Sequence, residues 1–202
     1  MGKTVVAVVG VPGVGKTTVL NLVVKELTSE GFNVKVINFG DYMFNVLHAK
    51  GIVKSRDEIR HQSMEVQINA QLMAAEEIRK EIDLMQDVGN NVVIIDTHAV
   101  IKTGNGFWSG LPEYVVKRIQ PKAIVIIESS VEEIMSRQGR DKNRYRADYN
   151  DPRLLNELLM MNRMYAIASA VLVGAVVRIV YNREGAPGEA AQEIVNLITA
   201  LG

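Results

Sequence analysis

An apolar run from Thr4 to Val9 leads without a break into Gly10-Val11-Pro12-Gly13-Val14-Gly15-Lys16-Thr17, and an amphipathic stretch follows. A buried strand must therefore turn through a glycine-rich loop straight into a helix, which few folds accommodate. The glycines let successive backbone N–H groups face inward as an anion cradle, and the positive N-terminal end of the helix points at the same place. In such a loop Lys16 reaches the β- and γ-phosphates of a nucleoside triphosphate and the Thr17 hydroxyl reaches Mg²⁺. The candidate donor site is thus Gly10, Val11, Pro12, Gly13, Val14, Gly15, Lys16, Thr17 and Thr18. A ligand-free glycine turn is the plainer alternative, but the strand before and the helix after are the context that nucleotide binding requires. The dinucleotide fingerprint fails, because Thr18 stands where its last glycine belongs.

Further short β-branched runs follow at Val34–Asn38, Val92–Asp96, Ala123–Glu128 and Val176–Tyr181. With the first run they give five strands separated by helical patterns, the signature of an α/β, doubly wound parallel sheet. Their apolar character predicts burial on both faces. One helix is predicted from Lys16 to Glu30, with Leu20, Val23, Val24 and Leu27 on its inner stripe and Gly31 as its stop. Ser55-Arg56-Asp57-Glu58 has the form of a capping box opening a long helix that ends near Gly89. Ser130, Asp151-Pro152 and Gly188 mark three more helix starts. The uncharged run Met164–Val177 is shorter than the ~20 residues a membrane span needs, and Gly174 divides it into a helix end and a strand start.

Two stretches break the alternation. Residues 39–75 are longer than one crossover helix needs, and 137–149 are polar and rich in arginine. Both follow strand ends, where parallel sheets bind ligands, and both are candidate substrate-closing segments. The single domain is then a core of 1–38, 76–136 and 150–202 carrying these two insertions.

Asp96 ends an apolar strand, the pattern of a carboxylate that completes a Mg²⁺ site, although a lone Asp there also serves as a turn former. Thr97 follows it, where many ATP-hydrolysing motors carry a water-activating glutamate. That favours transfer to a substrate over hydrolysis. Arg137, Arg140 and Arg144 are spaced for one helical face, and Arg146 follows them. Guanidinium groups match phosphate oxygens, so the first three are candidate catalytic residues beside Lys16. A solvated face balanced by Asp141, Asp148 and Asp151 is the alternative. In the first insertion Arg60 is favoured to hold a second phosphate, and Arg56 is read as surface decoration. His98 either meets a substrate phosphate or fills a turn, and His48 and His61 are isolated. The segment Gly104–Pro112 carries the only tryptophan, Trp108, as a base-binding wall or a surface-packed loop residue.

Lysine plus arginine equal aspartate plus glutamate at 23 each, so no global field recruits nucleic acid or an anionic membrane. There is no cysteine, which excludes disulfides, thiol nucleophiles and cysteine-bound zinc. The N-terminus runs directly into the first strand and leaves no room for a signal peptide, so a cytoplasmic setting is expected.

With these residues in place, the chain resembles the archaeal-type adenylate kinases over essentially its whole length. The resemblance is carried by VVGVPGVGKTT, VINFGDYM at 36–43, RDEIR at 56–60, IIDTHAVIKT at 94–103, GLP at 110–112, SRQGRDKNRYRADY at 136–149 and ASAVLVGAVVRIVYNREG at 168–185. The D-G-F-P-R segment and zinc lid of bacterial and mitochondrial types are absent. The resemblance implies a P-loop NTPase fold and the reaction ATP + AMP ⇌ 2 ADP with Mg²⁺ as cofactor, Thr17 and Asp96 serving the metal, Asp96 through water. It also implies an AMP site at Phe39, Gly40, Asp41, Met43, Arg60 and His98, a lid at 137–149, and a homotrimer. Rival readings are a kinase for CMP, UMP or another small acceptor, an ATP-hydrolysing partner protein, and a GTPase-type switch; the last lacks an Asn/Thr-Lys-x-Asp guanine-reading motif.

Overall fold

Alternation along the inner strands decides the architecture. In β1 (Thr4–Val9), Val5, Ala7 and Val9 face one core cluster while Val6 and Val8 face the other. A computed structural model describes residues 3–85, 90–103, 105–140 and 151–202, the side chain of Arg140 excepted. In it β1 is the middle strand of a five-stranded sheet with β2 (Asn33–Asn38), β3 (Asn91–Asp96), β6 (Ala123–Glu128) and β7 (Val176–Tyr181), in the order β2-β3-β1-β6-β7, all parallel. Helices α1 (Lys16–Ser29) and α7 (Pro187–Leu201) bury Val19, Leu20, Val23, Ile194 and Ile198 in one core. Helices α2 (Phe39–Ala49), α3 (Met64–Leu84) and α4 (Glu113–Ile119) supply the other. Helix α5 (Val131–Arg140) leads into 141–150, outside the described residues, and α6 (Pro152–Val171) returns.

Register positions the site. Asp96 pairs with Val8 on one side and Asn38 on the other, so these strand ends form one row beneath the glycine loop. The strand order reverses around β1, with β3 and β2 on one side and β6 and β7 on the other, which opens a crevice at the carboxyl ends of the strands.

Several elements depart from the sequence reading. The edge strands β2 and β7 are not buried on both faces; Val36, Val176 and Tyr181 are exposed, since an edge strand has a neighbour on one side only. The capping box at Ser55 opens a 3-10 turn, Arg56–His61, rather than the long helix, with Glu58 accepting from the Ser55 hydroxyl and the Lys54 amide. The long helix starts anew at Met64, where the Ser63 hydroxyl caps the Val66 amide at 3.4 Å. Helix α2, which the sequence reading did not separate, follows β2 at once. Of the Gly104–Pro112 segment, Gly106–Ser109 form β5, which pairs antiparallel with β4 (Val100–Thr103), with Trp108 opposite Ile101. Residues of the first insertion, among them Phe39, Met43, Leu47 and Val53, pack into the same core as the sheet.

Candidate active site

The glycine loop has the backbone its sequence demands. Gly13 and Gly15 adopt φ of 98° and 81°, the left-handed region that side chains resist. Gly15 is also the N-cap of α1; no side chain caps this end and no acidic residue occupies the first turn, so its N–H groups are left for an anion. Thr17 and Thr18 are exposed on that turn.

Lys16 runs across the crevice to β3. Its Nζ contacts Asp96 Oδ1 and donates to the Thr97 carbonyl at 2.5 Å. Burial lowers the Lys16 pKa below the usual lysine value; the Asp96 carboxylate pulls the other way, and the charge of Arg56 adds to the lowering. Asp96 Oδ2 accepts from Asn38 Nδ2 at 2.9 Å, and Asn38 Oδ1 accepts from Arg56 at 2.6 Å. Asn38 is the N-cap of α2, a position where Asn commonly caps, yet its amide bridges Asp96 and Arg56 instead. Arg56 completes the chain at Asp41, 2.7 Å away, and its guanidinium lies so close to Gly40 that any Cβ there would overlap it.

These groups line a cavity of about 70 Å³ with Phe39, Gly40, Met43, Gln71, Thr97, His98, Ile101 and Gly110. The structure thus gathers Lys16, Asp96, Phe39, Gly40, Met43 and His98 in one place, and holds Asp41 against Arg56 at its edge. Arg60 is not among the lining residues; it is exposed and pairs with Asp57 at 2.9 Å. Arg56, read from sequence as decoration, is the arginine at this cavity. His98 places Nδ1 3.0 Å from the Gly10 carbonyl, so it braces the loop from the acceptor side.

Arg137 is half-buried under the loop. It donates to the Val14 carbonyl at 3.1 Å, Ser129 Oγ at 2.8 Å, the Asn182 carbonyl at 3.1 Å and Glu184 at 2.8 Å. The Arg140 side chain and Arg144 lie outside the described residues. No cluster of three His, Asp or Glu that could hold a metal occurs among the described residues. The oxygens of Asp96 and Thr17 suit Mg²⁺ bound chiefly through phosphates and water.

Sequence reasoning missed Asn38, Asn182, Gln138 and Ser129. The only available signal was position: Asn38 and Asn182 are polar residues at the carboxyl ends of apolar strands or just beyond.

A family model described as AAA domain matches residues 9–154. An adenylate kinase from Saccharolobus solfataricus is 48% identical over 189 residues, covering 94% of this chain and 96% of its own length. The chain belongs to the adenylate kinase family. A second adenylate kinase, from Methanocaldococcus jannaschii, is 38% identical over 198 residues, 98% of this chain and 100% of the relative. Among solved structures, shikimate kinase from Acinetobacter baumannii in complex with shikimate superposes with a TM-score of 0.60 at 17% identity, covering 98% of this chain and 93% of that one. At that identity the likeness speaks for the P-loop fold alone.

Proposed function

We propose that this adenylate kinase passes the terminal phosphoryl group of ATP to AMP across the floor made by Lys16 and Asp96. The observation that carries the reading is the single row of Asp41, Arg56, Asn38, Asp96 and Lys16, which joins a second anion-binding group to the phosphate loop. A hydrolase needs only the loop; a transferase between two phosphorylated substrates needs cations on both sides.

ATP binds through the loop amides and Lys16, which exchanges Asp96 and the Thr97 carbonyl for phosphate oxygens. Asp96, through water, and Thr17 would hold Mg²⁺, which would supply charge neutralisation on the transferring group. A cavity of about 70 Å³ has room for about two waters. AMP therefore enters as Arg56 leaves Asn38 and Asp41 and turns to its phosphate. The acceptor oxygen is already an anion, so no general base is required, consistent with Thr97 after Asp96. Arg140 and Arg144, with Arg137 beside the loop, close over the phosphoryl group and exclude water, which would otherwise convert transfer into hydrolysis.

The reading extends to a homotrimer in the cytoplasm. The association is supported by an apolar stripe on α6, where Met160, Met164, Ile167 and Val171 are exposed, together with exposed Val176 and Tyr181 on the edge strand β7. No helix among the described residues is long and apolar enough to cross a membrane.

Purified protein given ADP and Mg²⁺ should form ATP and AMP in equal amounts. Absence of disproportionation overturns the proposal, and ATP turnover with CMP or UMP at rates above AMP reassigns the acceptor.

A further inference from the structure

Three carbonyls of the glycine loop, at alternate residues, are each held from outside by a side chain of another element. His98 holds Gly10 at 3.0 Å, Gln138 Nε2 donates to Pro12 at 3.1 Å, and Asn182 Nδ2 donates to Val14 at 2.7 Å with Arg137 beside it at 3.1 Å. In a trans peptide the carbonyl and the following N–H point in opposite directions, and no cis peptide occurs among the described residues. A carbonyl anchored outward at Pro12 or Val14 therefore turns the N–H of Gly13 or Gly15 inward.

The two amides give up something to do this. Among the described residues Gln138 Oε1 and Asn182 Oδ1 are buried without a hydrogen-bond partner. An amide chosen only to fill space would be expected to satisfy its acceptor as well. Asn182 also presses on Gly15 so closely that a Cβ there would collide with its Nδ2. It is itself fixed through its backbone, its N–H donating to the Glu128 carbonyl at 2.8 Å and its carbonyl accepting from Ser129 Oγ at 2.7 Å.

We infer that Asn182 and Gln138, assisted by Arg137, are positioning residues that shape the loop for the ATP phosphates by anchoring the Val14 and Pro12 carbonyls. They act through the loop backbone and need touch no substrate. Because Gln138 and Arg137 lie on α5 and Asn182 follows β7, the donor site is set by elements distant in sequence from the loop itself.

Calorimetric titration with Mg²⁺ and the non-hydrolysable analogue AMP-PNP, and separately with AMP, tests this without depending on turnover. Asn182→Ala should weaken AMP-PNP about tenfold, the scale of one lost hydrogen bond, and leave AMP within twofold. Asn182→Ser, which retains a shorter donor, should recover part of the loss. Gln138→Met preserves shape without the donor and should weaken AMP-PNP like Gln138→Ala. The inference is overturned if AMP-PNP stays within twofold in Asn182→Ala, if both nucleotides weaken equally, or if Gln138→Met binds as wild type. Should the Asn182 variants melt below the titration temperature, the Gln138 pair decides the matter alone, since Gln138 is only half-buried where Asn182 is buried.

Discussion

Lys16 and Asp96 are worth more to function than to stability. Two charges are held in a nearly closed crevice, and the Lys16 pKa is lowered on balance, so desolvation outweighs the attraction. Replacing both by neutral residues of similar shape, as Lys16→Met with Asp96→Asn, should leave the nucleotide-free protein as stable or more stable by up to about 4 kcal/mol while abolishing transfer. The sign with pH follows from linkage. A lysine whose folded pKa is lowered destabilises the fold below that pKa, and the penalty fades as pH rises through it toward the unfolded value. The lead in melting temperature of the double variant over wild type should thus shrink between neutral and alkaline pH; a lead that grows would contradict the burial argument. Arg56 and Arg60 can be separated at the same scale. Arg56→Ala should raise KM for AMP by tenfold or more with KM for ATP changed little, and Arg60→Ala should change neither beyond twofold in steady-state kinetics. Equal effects would return Arg60 to the site.

At the scale of elements, the hairpin β4–β5 and its junction with α4 shape the acceptor side. Gly110 turns the chain there, with its N–H donating to the Ala99 carbonyl at 2.8 Å, and a Cβ at Gly110 would overlap the His98 carbonyl. The obstruction is backbone, so a rotamer change offers no relief. Gly110→Ala should cost about 1–3 kcal/mol and raise KM for AMP more than KM for ATP, because His98 and Gly110 line the acceptor cavity. An unchanged melting curve would show that the junction shifts freely. This element also shows why part of the site was legible in the sequence. Lys16 and Thr17 lie inside one contiguous motif, and Asp96 closes a strand whose apolar run is plain. Asn38 meets Asp96 across 58 residues and Asn182 meets Val14 across 168. Such contacts are created by strand order and register, which periodicity does not encode. Arg56 and Arg60 share one short segment, and only the 3-10 turn in place of a regular helix decides which of them faces Asn38.

On the scale of the whole molecule, the uncharged run Met164–Val177 finds its explanation in two coverings. Ala166, Ser169 and Ala170 turn toward the protein, and Met164, Ile167 and Val171 lie on the opposite side, exposed. A helix apolar on both sides is usually buried on both, and no helix among the described residues is long and apolar enough to cross a membrane. A second copy of the chain is the covering the proposed trimer supplies, with the free β7 edge beside the stripe. Strand order leaves that edge open, and composition alone gives no hint of it, since the stripe is formed only when α6 docks. Light scattering should then report about 67 kDa for a trimer of 22.3 kDa chains. Ile167→Glu with Val171→Glu should shift the mass toward one chain, as charges facing each other across an apolar contact are costly to bury. The loop, Asp96 and Arg56 are not on this face, so the dissociated variant should still disproportionate ADP at low temperature. A wild-type mass of one chain would end the trimer reading, and a trimer that survives both substitutions would move the interface away from α6.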